Sequence, residues 1–309
     1  MKYSLGTEVR YWFLSGRIFI IFASILFVFL FGEYLNFEGL KDVNVCFNHS
    51  EEFLKDHVEE MIQEPYSVET FENGRSTILN PISYYKDEVI NRLYYCSPYY
   101  ALRQCSEMAL VAFPILMTVI GALCIESDYR KNIVKLRVAS EGKTNYLLCK
   151  QAVMIGFCAL TTIIATIVAF LTSFNVYDRA KKLITSKWIN IPEDFSTDGV
   201  KTFLGMLFML FVMLFFLEAG FCLTCVFKNA LVPILIIDGL WYFTKSFSKY
   251  EPRNLLTNLA LKNLDFGGAI HVQLHGEVSV LISVLILSMC LLLVCLLGFF
   301  VYRKRSAFN

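Results

Sequence analysis

Glu218 and Asp238 stand inside runs of apolar residues. A carboxylate at the centre of a membrane-crossing helix costs roughly 2.5–3.5 kcal/mol on insertion scales, so each needs a polar neighbour or a purpose. The two flank the short polar break Lys228-Asn229, which sets them on adjacent antiparallel helices able to share one interior. The chemistry open to such a pair is a polar lining for a translocation path, or proton uptake and release. The plainer alternative is a side chain hydrogen-bonded to the next helix.

The densest group of charges is the island from Glu126 to Lys150. It carries six basic side chains (Arg130, Lys131, Lys135, Arg137, Lys143, Lys150) against Glu126, Asp128 and Glu141. Ile133, Val134, Leu136 and Val138 cluster among them, a pattern suited to a short structured element at a membrane surface. A solvated connector, an anionic-lipid contact and a docking element all fit. The low Gly, Ser and Pro content favours docking.

Other motifs fail on spacing. Gly142-Lys-Thr144 ends like a phosphate-binding loop, but the glycine required five residues earlier is Arg137. His271 and His275 have zinc-binding spacing, yet Val272 replaces the glutamate of the protease pattern. Cys222-Leu-Thr-Cys225 lacks a second ligand pair, so it is read as two small hydrophobes. Glu59-Glu60 lies on an acidic stretch, and Asn48-His-Ser50 is assigned no role. No catalytic set, metal site or cofactor site emerges, and the chain is not expected to be an enzyme. No basic tract with interleaved aromatics points to nucleic acid.

The elements that must position these groups are membrane spans. Apolar residues make up 56% of the 309-residue chain and charged residues only 18%, against about half and a quarter in soluble domains. About 20 apolar residues cross roughly 30 Å of hydrocarbon, and six runs are candidates: Phe13–Phe31, Met108–Ile125, Ala152–Phe174, Phe203–Phe227, Ala230–Phe243 and Val278–Tyr302. The fifth is short and holds Pro233 and Asp238. Six crossings place Lys2 and Arg10 on the same side as Arg303, Lys304 and Arg305, as the positive-inside rule asks. The first run is expected to stay as an uncleaved span. The expected fold is an all-α polytopic membrane protein of six transmembrane helices, with both termini and the island cytosolic at the cell (plasma) membrane.

Between the first two spans lies a large outer segment, 34–106, with twelve acidic and six basic side chains, a net charge of −6. Residues 50–64 are expected to form an amphipathic helix started by Ser50 and stopped by Pro65. Ile82, Tyr85, Val89 and Leu93 predict a second helix. Cys46, Cys96 and Cys105 allow one disulfide without choosing it. Arg17 and Glu107 are expected to reach headgroups from span ends. The organisation expected is 1–33 as N-terminal segment and first span, 34–106 as outer cap, and 107–309 as spans two to six with the coupling segment 126–150.

The residues Glu126, Asp128-Tyr129-Arg130-Lys131, Ser140 and Lys150 resemble a motif of permease subunits of type-2 ABC exporters. In that family a glutamate ends span two, an acidic-aromatic-basic segment follows, and a lysine opens span three. The chain has Asn132-Ile133 where Gly-Thr is frequent and Ala139 where proline is frequent. The pattern is most like bacterial permeases for lantibiotic or antimicrobial-peptide export and immunity. The resemblance implies a coupling helix contacting a separate ATPase, with Glu126, Asp128, Tyr129, Arg130, Lys131 and Lys135 as coupling residues. It also implies ATP and Mg on the partner ATPase in two copies, a second permease copy or homologue, and peptide-like or amphipathic substrates. The alternative is a membrane sensor or scaffold whose acidic outer segment binds a ligand and signals through 126–150.

Overall fold

A computed structural model describes residues 2–70, 76–130, 138, 142–192, 195, 198–243, 248–264 and 274–304. Among the described residues, five helices are long and apolar enough to cross a membrane, which makes the chain an all-α polytopic membrane protein. They are α2 (Arg17–Leu54), α5 (Pro98–Arg130), α6 (Lys143–Leu183), α7 (Gly199–Phe227) and α10 (Val280–Lys304). The apolar run at 230–243 forms a shorter helix, α8 (Leu231–Asp238), which widens into a single π turn over Gly239–Phe243.

The first span does not begin at Phe13. A separate helix α1 (Lys2–Leu14) ends there, and Gly16 breaks the chain with φ +71°, a left-handed conformation that glycine reaches without strain. α2 then runs for 38 residues and α6 for 41, about 57 and 62 Å at 1.5 Å per residue. Each is about twice as long as the roughly 30 Å hydrocarbon layer is thick. They lie parallel and in step: the Thr172 hydroxyl donates to Glu33 at 3.0 Å, and eleven residues later Asn44 donates to the Leu183 carbonyl at 3.3 Å.

Contacts fix the other directions. Arg17 meets Ser127 while Gly32 lies against Gln104 and Met108, so α5 returns antiparallel to α2. α7 runs parallel to α5, Ser106 facing Gly205 and Thr118 facing Gly220. At their crossing the backbones touch: a methyl group on Gly220 would sit 2.4 Å from the Thr118 carbonyl oxygen. Such small-residue contacts replace the hydrophobic drive that helices lose in lipid. α10 runs parallel to α7 in turn, through Glu218–Cys295 and Cys222–Gly298. The chain between α7 and α10 therefore has to travel back, and α8 makes the first part of that return.

The return is completed beside α9 (Pro252–Asn263). Asn254 and Asn258, one turn apart and both buried, bind the strand-like approach to α10. Asn254 donates to the Gly276 carbonyl at 2.9 Å and accepts from the His275 amide at 2.8 Å, and Asn258 donates to the Val278 carbonyl at 2.6 Å.

The described residues form two apolar cores. The larger gathers buried residues of α1, α2, α5, α6, α7, α9 and α10. The second lies where α2 and α6 overshoot, and contains Leu40, Phe47, Val58, Ile62, Ile82, Val89, Leu93, Tyr177 and Ile184. It is completed by α4 (Pro81–Tyr95) and α3 (Val58–Met61), with a hairpin of β1 (Ser67–Thr70) and β2 (Ser76–Leu79) pairing Ser67 with Leu79. α4 matches the predicted second helix, with Ile82, Val89 and Leu93 fully buried. The predicted helix at 50–64 does not stand alone. α2 continues through Leu54, a 3-10 turn covers Lys55–His57, and Phe53 is 88% exposed. Ser50 lies inside a helix and donates to the Cys46 carbonyl instead of starting one. All ten cysteines are free thiols, and Cys96 and Cys105 are buried.

Candidate functional site

The charged island begins at the last turn of α5 and ends in the first turns of α6. Those ends are joined by a buried ion cluster. The Lys150 ammonium, 1% exposed, contacts the Asp128 carboxylate directly and lies 3.5 Å from Glu8 of α1. The Tyr146 hydroxyl donates to Asp128 at 2.6 Å, and the Trp12 indole donates to Glu8 at 3.0 Å. One ammonium thus serves carboxylates from two other helices.

The spacing within each helix explains the convergence. Glu8 and Trp12 are four residues apart on α1, and Tyr146 and Lys150 are four apart on α6, so each pair shares a face. Around this centre, Arg17 at the start of α2 donates to Ser127 at 2.8 Å. Tyr302 of α10 stacks on Tyr146, ring centres 6.4 Å apart, and Lys143 donates to the Arg303 carbonyl at 3.4 Å. The beginnings or ends of α1, α2, α5, α6 and α10 therefore meet at one end of the molecule. Buried ions repay their desolvation only with close partners, and removing one partner typically costs about 3–5 kcal/mol.

The predicted coupling residues divide by environment. Glu126 is mostly buried and pairs at 3.5 Å with Arg130, whose side chain is 77% exposed. Asp128 is 1% exposed, and Tyr129 packs partly buried against the main core. Asp128 is thus an internal anchor; the outward-facing charge on the last turn of α5 is Arg130. Lys131, Lys135 and Ser140, with the rest of 131–137 and 139–141, lie outside the described residues, as does His271.

The membrane-depth carboxylates do not form a pair. Glu218 is 5% exposed and its Oε2 accepts from Gln151 of α6 at 3.0 Å, with the thiols of Cys222 and Cys295 at 3.6 and 3.7 Å. Asp238 is half-buried on α8, and its Oδ1 has no hydrogen-bond partner among the described residues. No hydrogen bond or ion pair joins the two carboxylates among the described residues. Glu107, expected at the headgroups, is 2% exposed and accepts from Tyr100, because its turn of α5 faces protein. Arg17 likewise binds Ser127 and Tyr11.

Glu8, Trp12, Tyr146 and Gln151 were not singled out in the sequence. The signal available was the four-residue spacing within Glu8/Trp12 and Tyr146/Lys150, which shows a shared face but not a shared partner. No family model, no curated protein and no solved structure matches the chain.

Proposed function

We propose that the chain is the permease subunit of a type-2 ABC exporter, moving peptide-like or amphipathic substrates across the plasma membrane with energy from a separate ATPase. The observation that carries this reading is the Asp128–Lys150–Tyr146–Glu8 cluster. It ties both ends of a charged surface segment to one another and to α1, so force applied to that segment reaches the spans. The segment is the one that resembles the family's coupling helix. Glu126, Arg130, Lys131 and Lys135 are its contacts to two ATPase copies holding ATP and Mg, and Asp128 and Tyr129 transmit their movement.

Topology supports the same reading. Parallel α7 and α10 require a return crossing, which brings the crossings to six with α8 as the short fifth. The island, α1 and the end of α10 then share the side bearing Arg10, Arg303 and Lys304, which the positive-inside rule assigns to the cytosol. The second core lies outside, with the segment of net charge −6. It concentrates cationic ligands within about 8 Å at physiological salt. A second copy or a homologue completes the pathway, and alternating access follows from rocking of the spans.

A sensor or scaffold has one observation in its favour: α2 and α6 run unbroken from the island end into the second core. Affinity purification in mild detergent separates the two readings. The permease reading expects a co-purifying chain with a nucleotide-binding loop, lost when Glu126, Arg130 and Lys131 are charge-reversed. Purification of the intact chain with no such partner, or with unchanged stoichiometry in the reversed variant, overturns it.

A further inference from the structure

Glu218 and Cys222 are four residues apart on α7, and Cys295 faces them from α10. Their ligand atoms, one carboxylate oxygen and two thiol sulfurs, all lie within 4.8 Å of one another. Gln151 closes the group from α6, its amide 3.0 Å from Glu218 and 3.8 Å from Cys222 Sγ. Glu218 is 95% buried by its 5% exposure, and its Oε1 has no hydrogen-bond partner among the described residues. Neither the island cluster nor the transport reading uses these thiols.

We propose that these residues form a site for one divalent thiophilic cation of the zinc class. The geometry carries the inference. Zinc bonds of about 2.3 Å to sulfur and 2.0 Å to oxygen at the tetrahedral angle place sulfur and oxygen about 3.5 Å apart. The two sulfur–oxygen separations here are 3.6 and 3.7 Å, close to that spacing, and the two sulfurs lie within 4.8 Å of each other. Two thiolates with one carboxylate suit zinc or cadmium, whereas magnesium and calcium take oxygen ligands. The Gln151 Nε2 faces the site as a donor, so the fourth position belongs to water, or to the Gln151 oxygen once its amide flips.

Access is open on one side. A cleft of about 590 Å³ between α6, α7 and α10 is lined by Gln151, Leu214, Ser288 and Cys295. Binding involves no electron transfer. The cation takes the place of the two thiol protons, which leave to solvent, and the carboxylate oxygen completes the set. The bound cation would pin α6, α7 and α10 together part-way along their length. Cys225, three residues on, is buried elsewhere and takes no part.

The test uses the full chain, purified in detergent under reductant, loaded with Zn²⁺ and desalted, with zinc per chain measured by elemental analysis. About one zinc is expected for the wild type and for Cys225→Ser, with at least a fivefold loss in Cys222→Ser and Cys295→Ser. Zinc should also raise the thermal unfolding midpoint of the wild type and of Cys225→Ser alone. If the serine variants do not fold, Cd²⁺ titration of the wild type replaces them: the ultraviolet thiolate-to-cadmium absorption band supports the site. Wild type retaining no zinc, variants retaining as much as the wild type, or absence of the cadmium band each overturns it. The result does not depend on whether the ATPase partner is found.

Discussion

The two ends of the molecule are held together by opposite means. At the island end, α1, α5 and α6 converge on one ammonium shared by two carboxylates. At the other end, α2, α4 and α6 pack mainly through aliphatic and aromatic side chains, with the half-buried pair Arg92–Glu88 on α4 beside them. An apolar core of that kind is non-directional and tolerates small shifts through repacking. A shared ammonium is directional: it can favour one carboxylate over the other only if the helices move. The difference teaches where the molecule is built to be rigid and where its parts can exchange partners.

Breaking the ionic end should have the largest effect. Lys150→Met removes the buried ammonium that Asp128 and Glu8 share, a loss of about 3–5 kcal/mol. It should show as a large fall in the detergent unfolding midpoint. Adding Asp128→Asn and Glu8→Gln should recover most of it, since removing the charges together is far milder than removing the shared cation alone. Failure of the triple variant to recover would mean that Lys150 acts through packing.

The apolar end should respond somewhat less, and without such rescue. Leu93→Ala removes a fully buried side chain from the second core and should cost about 2–5 kcal/mol, depending on how far the cavity collapses. Loss of protease resistance confined to 40–95 would mark the second core as a unit that opens on its own. A smaller effect is expected at the α5–α7 crossing, which both ends share. Gly220→Ala pushes a methyl against the Thr118 carbonyl and should cost about 1–3 kcal/mol.

The smallest structural effect belongs to the exposed charge. Arg130→Ala should leave the midpoint unchanged, because an exposed ion pair contributes little, while lowering ATPase co-purification. Thiol labelling sharpens the contrast in sidedness. Cys46 is exposed beside the second core, so a membrane-impermeant maleimide added to intact cells should modify it. Cys96 should stay unmodified even at pH 9, because burial pushes its thiol up to about 12 and keeps it protonated. Labelling of Cys46 only after lysis would invert the proposed orientation.

Much of this fold was legible because lipid writes a plain signal. The centres of the long spans are runs of apolar residues, and α4 announces itself through Pro81 and the spacing of Ile82, Val89 and Leu93. The overshoot of α2 was not legible, because its buried stripe changes character without changing period. Phe29, Glu33, Asn36, Leu40, Asn44 and Phe47 recur every three or four residues, yet three of them are polar and bind groups far along the chain. A hydropathy reading stops where lipid stops, although protein contact continues. Glu8 was hidden for a related reason. It sits between Lys2 and Arg10, and its meaning lies in Lys150, far away in sequence. Glu218 and Asp238 were legible as costly residues, but the partners of Glu218, on α6 and α10, were not.

The parallel run of α2 and α6 carries a mechanical consequence. A rod of about 60 Å pivoting by about 10° at one end displaces its other end by roughly 10 Å. Two such rods moving in step would carry the second core sideways as one body, an excursion comparable to the width of a helix. Whatever rests on that module would feel, as a lateral sweep, a small rotation begun at Lys150.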